Sequence, residues 1–131
     1  MSILIVYTTR YRKGSPVFAR IAETLRRETK ERYNGEVICK GIVGKRELTD
    51  LFTQFHAENR LLDEFHFIGH AGMYGPMFGT VEYPEQYSPY EWKQLPLPFS
   101  PEGKAYFHCC RSARWFASFF AQISGVTTYG A

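Results

Sequence analysis

The run "ILIVYT" (Ile3 to Thr8) constrains this chain more than any other stretch. It has the length of a strand and almost no polar residue. A strand without alternation must be covered on both faces, which is the signature of a parallel sheet. "GSPVFARIAETLRRETKERYNG" follows and reads as a helix. Ser15 can cap it, Pro16 suits its first position, and Phe18, Ile21, Ala22 and Leu25 form one apolar face. Gly35 is expected to end it in a left-handed conformation. "EVICKGIV" (Glu36 to Val43) reads as a second strand. "KRELTDLFTQFHAENR" reads as a second helix, with Leu48, Leu51, Phe52 and Phe55 on one side. "EFHFIGH" (Glu64 to His70) reads as a third strand that His70 ends.

Six of the seven prolines then fall between Pro76 and Pro101. This segment reads as a long connection with a short hairpin around "MFGTVEY" and a helical turn at "SPYEWKQL". "KAYFHC" is the fourth strand. "SARWFASFFAQIS" is a helix with Trp115, Phe116, Phe119, Phe120 and Ile123 inward, and "GVTTYG" is a last short strand. Strands alternating with helices specify an α/β fold: a mostly parallel sheet of about five strands, helices on both faces, in a single domain over residues 1–131. The chain stops soon after the last strand, which suggests the N-terminal part of a longer protein.

Charge and cysteine content narrow the partners. The net charge is +3, with 12 Lys/Arg against 7 Asp/Glu in residues 1–60 and 4 against 6 in residues 61–131. The basic excess lies along helix faces such as "LRRETKER" and reads as solvated surface. No nucleic-acid motif accompanies it. No apolar run approaches the roughly 18–20 residues of a membrane-spanning helix, so no membrane partner is expected. The N-terminus has no signal-peptide pattern. Three cysteines are too few for a disulfide scaffold, and a reducing, cytoplasmic setting is the expectation.

In open parallel sheets, sites form outside the carboxyl ends of the strands. That rule selects the loop "TTRYRKGS", His70 and Cys110. A cysteine nucleophile needs thiolate character, a base and an oxyanion site. Cys110 is expected where strand gives way to helix, beside Arg111 and Arg114, both of which favour the thiolate. His70 is the candidate base. Amides near Gly72 are candidate oxyanion donors. Cys109 is one position away in a strand and so faces the other side of the sheet, where it reads as packing. His66, His108 and Cys39 are interior to strands and read as structural. No metal is expected: adjacent Cys109 and Cys110 cannot easily turn to one ion. The four-residue spacing of His66 and His70 aligns ligands on a helix, not on a strand.

These blocks resemble the caspase-like cysteine peptidases, the group that includes caspases, gingipains, clostripain, separase and bacterial CHAT domains. "FHFIGHAGMYG" is similar to their His-Gly block. "AYFHCCRSARWFASFFAQISGVTTYG" is similar to their block of strand, catalytic cysteine, hydroxyl residue, small residue and helix. The resemblance implies a caspase-like three-layer sandwich. It implies hydrolysis of peptide bonds in a peptide or protein substrate by a Cys–His dyad, with no cofactor. Cys110 would be the nucleophile, His70 the general base, and Ser112 the hydroxyl residue after the cysteine. Ala71 stands where these proteins commonly have Gly, and Gly72 follows, so the oxyanion amides fall on Ala71 and Gly72. By the same resemblance Arg10, Arg12 and Arg111 would bind an acidic or otherwise anionic substrate. Two alternatives are a scaffold domain that keeps the fold without the activity, and a flavodoxin-like domain binding a phosphate-bearing cofactor. In the flavodoxin-like reading Thr8, Thr9 and Ser15 would hold phosphate oxygens at the helix start.

Overall fold

The computed structural model of the chain describes residues 1–109 and 115–130. Strand β1 (Ser2–Thr8) leads into α1 (Ser15–Arg32), β2 (Glu36–Ile42), α2 (Lys45–Ala57) and β3 (Leu62–Ile68). A small antiparallel unit follows: β4 (Ala71–Gly72), β5 (Gly75–Gly79) and β6 (Pro84–Gln86). Then come α3 (Pro89–Gln94), β7 (Phe99–His108), α4 (Phe116–Ser124) and β8 (Thr127–Gly130). The main sheet is parallel throughout, in the order β2-β1-β3-β7-β8, with helices flanking it as a three-layer α/β sandwich.

The apolar run of β1 is buried as its composition requires, and its alternation divides the core in two. Ile3 and Ile5 face α1 and pack with Ala22 and Ile68. Leu4 and Val6 face the other way, into a larger core with Leu48, Phe52 and Phe55 of α2, Trp92 of α3, and Phe116 and Phe120 of α4. Phe65, Phe67, Ala105, Phe107 and Cys109 supply the floor of that core from β3 and β7. Cys109 thus lies where strand alternation puts it, buried and on the face away from α1.

Several local expectations are corrected. The N-cap of α1 is Gly14 and Ser15 makes no capping bond. The helix ends at Tyr33, whose extended φ of −123° breaks it before Gly35 is reached. Gly35 is needed for space, because a Cβ there would stand 2.5 Å from the Tyr33 ring and 2.6 Å from the Met1 carbonyl. β3 stops at Ile68, two residues before His70. β7 starts at Phe99, five residues earlier than the apolar pattern suggests. Trp115 is 44% exposed, stacked on Phe119 at 5.0 Å, and is not a core residue. The proline-rich segment does form its hairpin, β5–β6, and its helical turn, α3, where Ser88 accepts from the Glu91 amide and Glu91 returns to the Ser88 amide.

Among the described residues α1 is the one helix on its side of the sheet, and it packs on β1, β2 and β3. A polar chain crosses that side. Arg32 donates to both oxygens of Glu64 (3.0 and 2.9 Å), and His66 Nε2 donates to Glu64 Oε1 (2.9 Å). The His66 bond, with the Arg32 guanidinium behind it, holds the Glu64 carboxyl down at about 2 against the desolvation that opposes it. A carboxyl depressed in the fold contributes stability above its unfolded value near 4.5 and loses it as pH falls toward 2. His108 is also held below its usual value, by burial and then by His66, so the unfolded chain takes that proton first. Both effects cost stability on acidification. Urea midpoints measured at falling pH should therefore drop first below about pH 6.5 and again below about pH 4.5. Glu64→Gln should flatten the lower step by on the order of 1–2 kcal/mol, after allowance for solvent screening.

Candidate active site at the switch point of the sheet

The strand order reverses between β1 and β3, because the chain runs from β1 to β2 on one side and resumes with β3 on the other. The crevice outside the carboxyl ends of those two strands is where parallel sheets of this order place ligands. Thr8 ends β1 there, and Gly69 and His70 follow β3. The two strands meet closely, and a Cβ on Gly69 would lie 2.7 Å from Thr8 Oγ1.

His70 is half-buried in this crevice. The β1–α1 loop folds back over it. Its Nε2 lies 2.9 Å from the Lys13 carbonyl oxygen, a distance at which only an Nε2–H can donate. That bond fixes the tautomer, and the neutral ring carries its lone pair on Nδ1. Tyr11 and Phe18 pack edge-on against the ring at 5.9 and 5.1 Å, which fixes its plane. Sequence reading did not find these three partners. A backbone carbonyl has no side-chain signature, and the aromatic flanks of "RYRKGSPVF" gave the only available hint.

The loop cations are exposed. Arg10, Arg12 and Lys13 all face solvent, and the Arg12 guanidinium lies 5.4 Å over the Tyr11 ring. Arg12 has φ 59°, a left-handed conformation that a side chain adopts at a cost of about 1–3 kcal/mol. The loop therefore carries strain where it wraps the imidazole.

On the other side of His70 the chain turns into the β4–β5 hairpin. Ala71 pairs with Pro76 and Gly72 with Gly75, and the Met77 amide donates to the His70 carbonyl at 2.9 Å. Gly75 has φ +99°, and a Cβ on it would sit 2.5 Å from the Phe116 ring, so the hairpin lies directly on the first turn of α4. Tyr74 at the hairpin tip meets Trp115 edge-on at 6.1 Å. The hairpin and the β1–α1 loop thus flank the rim on two sides.

The structure brings together His70, Ala71, Gly72 and the loop that carries Arg10 and Arg12. Cys110, Arg111, Ser112 and Arg114 lie outside the described residues, as does the expected first part of the last helix, which is described from Phe116. β3 and β7 pair in parallel at a constant offset of 40, from Glu64↔Lys104 to Ile68↔His108. His70 and Cys110 are separated in sequence by the same 40 residues.

Thr9 Oγ1 donates to the Ile42 carbonyl at 3.2 Å. Thr8 Oγ1 is buried against Gly69 with no partner among the described residues. No group of three or more potential metal ligands occurs among the described residues. No described helix is long and apolar enough to cross a membrane. Comparison with protein-family models, with curated proteins and with solved structures finds no match for this chain.

Proposed function

We propose that the chain is a caspase-like cysteine peptidase domain, with Cys110 as nucleophile and His70 as general base. The observation that carries this reading is the His70 geometry. Its Nε2–H is spent on the Lys13 carbonyl, its plane is held by Tyr11 and Phe18, and Nδ1 is left as a proton acceptor at the switch point. A general base needs a fixed tautomer and an available lone pair. The shared 40-residue offset supports Cys110, which follows β7 in sequence, as its partner.

The chemistry follows from that pairing. Nδ1 of His70 takes the thiol proton, and the thiolate attacks the peptide carbonyl. The C–N bond breaks as the imidazolium returns the proton to the leaving amine, and water then hydrolyses the thioester. The Ala71 amide, next to the base, is the candidate oxyanion donor, because the Gly72 amide is taken up by the pairing with Gly75. The exposed cations Arg10, Arg12 and Lys13, together with Arg111, favour a peptide with an acidic side chain.

Site-resolved alkylation tests the assignment. Iodoacetamide should label Cys110 at least about tenfold faster than Cys109 or Cys39 at neutral pH. Cys109 is buried, and burial pushes the half-buried Cys39 thiol up. Equal and slow labelling of all three would instead support a scaffold that keeps the fold without the chemistry.

A further inference from the structure

The α1 side of the sheet is covered over β1, β2 and β3, and among the described residues no helix covers the strands beyond. His108 of β7 is exposed and Tyr129 of β8 is 47% exposed. Between them and α1 runs a groove of about 340 Å³, walled by Arg20, Ile21, Thr24, Leu25 and Glu28, with His108 as its floor. That volume lies within the range of small-molecule sites. A smaller hollow lined by Tyr106, His108 and Tyr129 adjoins it, so His108 belongs to both.

His108 is the outer end of the polar chain described above. Its Nε2 lies 3.0 Å from Nδ1 of His66, which is 4% exposed, and the His66 ring stacks on Tyr106 at 4.5 Å. Proton counting along this chain has one solution for each charge state. Glu64 is a carboxylate and can only accept, so His66 carries its proton on Nε2. A neutral His66 then offers a lone pair at Nδ1, and His108 must fill the contact with Nε2–H. Nδ1 of His108 is consequently an acceptor. If the chain gains one proton, the 3.0 Å contact still holds one hydrogen. The extra proton then stands on Nδ1 of His108, whichever ring carries the charge. One protonation therefore converts this second ring nitrogen from acceptor to donor.

We propose that this groove is a small-molecule site whose polar anchor is Nδ1 of His108. It takes an O–H donor on an apolar ring, of the phenol class, while the histidine pair is uncharged, and it prefers an anion once the pair holds a proton. The apolar body lies along Ile21 and Leu25. The charged and titratable groups around the anchor are Arg20 and Glu28 from α1, His66 from β3, Tyr106 on β7 and Tyr129 on β8. Glu64 and His66 are positioning residues, since they set the tautomer and touch no ligand. Partial desolvation of the ring and the His66 neighbour hold His108 below the usual imidazole value, which favours the acceptor state.

The test uses phenol and benzoate as probes on the full chain, followed by NMR at about pH 8 and at a lower pH, below the ordinary imidazole range, at which the imidazole nitrogen shifts show that the pair has gained its proton. Phenol should shift the His108 ring and the Ile21 methyl resonances at the higher pH, and its affinity should fall at least about fivefold at the lower. Benzoate should show the opposite trend. His108→Leu keeps the apolar floor and should abolish both pH trends. Imidazole nitrogen shifts give an independent readout that needs no variant: both rings should carry their proton on Nε2 at the higher pH. Three results would each overturn the proposal: phenol that leaves this face unshifted or binds equally at both pH values, benzoate that does not gain on acidification, or a neutral His108 protonated on Nδ1.

Discussion

Replacing His70 by Gln is expected to slow Cys110 alkylation and peptide hydrolysis by roughly 10²–10⁴-fold, the range for loss of a positioned general base. The glutamine amide can still donate to the Lys13 carbonyl and keep the β1–α1 loop in place, so the loss isolates the proton acceptor. His70→Ala should match it in rate. It should also lower stability modestly, because the ring contacts with Tyr11 and Phe18 go with it. The measurement is a pseudo-first-order labelling rate read by peptide mass spectrometry, with circular dichroism as the check on folding. A His70→Gln variant that labels at the parental rate would remove His70 from the dyad and leave the switch-point site without its base.

The largest structural effect is expected at Trp92. This side chain is fully buried and packs against Tyr87, Phe116 and Phe120 with ring centroids at 4.5, 5.2 and 5.7 Å. It ties the proline-rich segment to α4. Trp92→Ala should cost about 3–5 kcal/mol, the combined loss of buried area and the cavity left behind. Thermal unfolding should move down by roughly 10 °C or more. Trp92→Phe should behave differently. The indole Nε1 has no hydrogen-bond partner among the described residues, and removing a buried unsatisfied donor recovers about 1–3 kcal/mol. That gain offsets most of the lost volume, and the variant should unfold within about 1 kcal/mol of the parent. A Trp92→Phe variant as unstable as Trp92→Ala would mean that the indole nitrogen is satisfied in solution.

The two predictions draw on parts of the fold that differ in how readable they are. The buried faces of β1 and α2 are patterned locally: Ile3 to Val6 and Leu48, Leu51, Phe52 and Phe55 are buried where periodicity puts them. The segment from Pro76 to Pro101 has no such period. Its hairpin and helical turn show through turn and capping residues, but the burial of Phe78, Tyr87 and Trp92 does not, because each packs against residues remote in sequence. The end of α1 was misread for a related reason. A glycine near a helix end suggests a left-handed cap, whereas Gly35 answers to crowding from Tyr33 and Met1, the latter 34 residues upstream.

For the candidate site, the sequence supplied the candidates: His70 expected at the end of the third strand, Cys110 at the end of the fourth, Cys109 turned to the opposite face, and cations on the first loop. Each follows from residue type, strand alternation and the parallel-sheet rule, which are local or generic. Only the tertiary structure decided the state of His70, because its tautomer depends on the Lys13 carbonyl, 57 residues away, and its plane on Tyr11 and Phe18. Only the tertiary structure joined His66 to His108, which the sequence presents as two structural histidines interior to strands. The reason is common to both cases. A hydrogen bond across adjacent parallel strands is fixed by register, and register is set by the packed sheet, not by either strand.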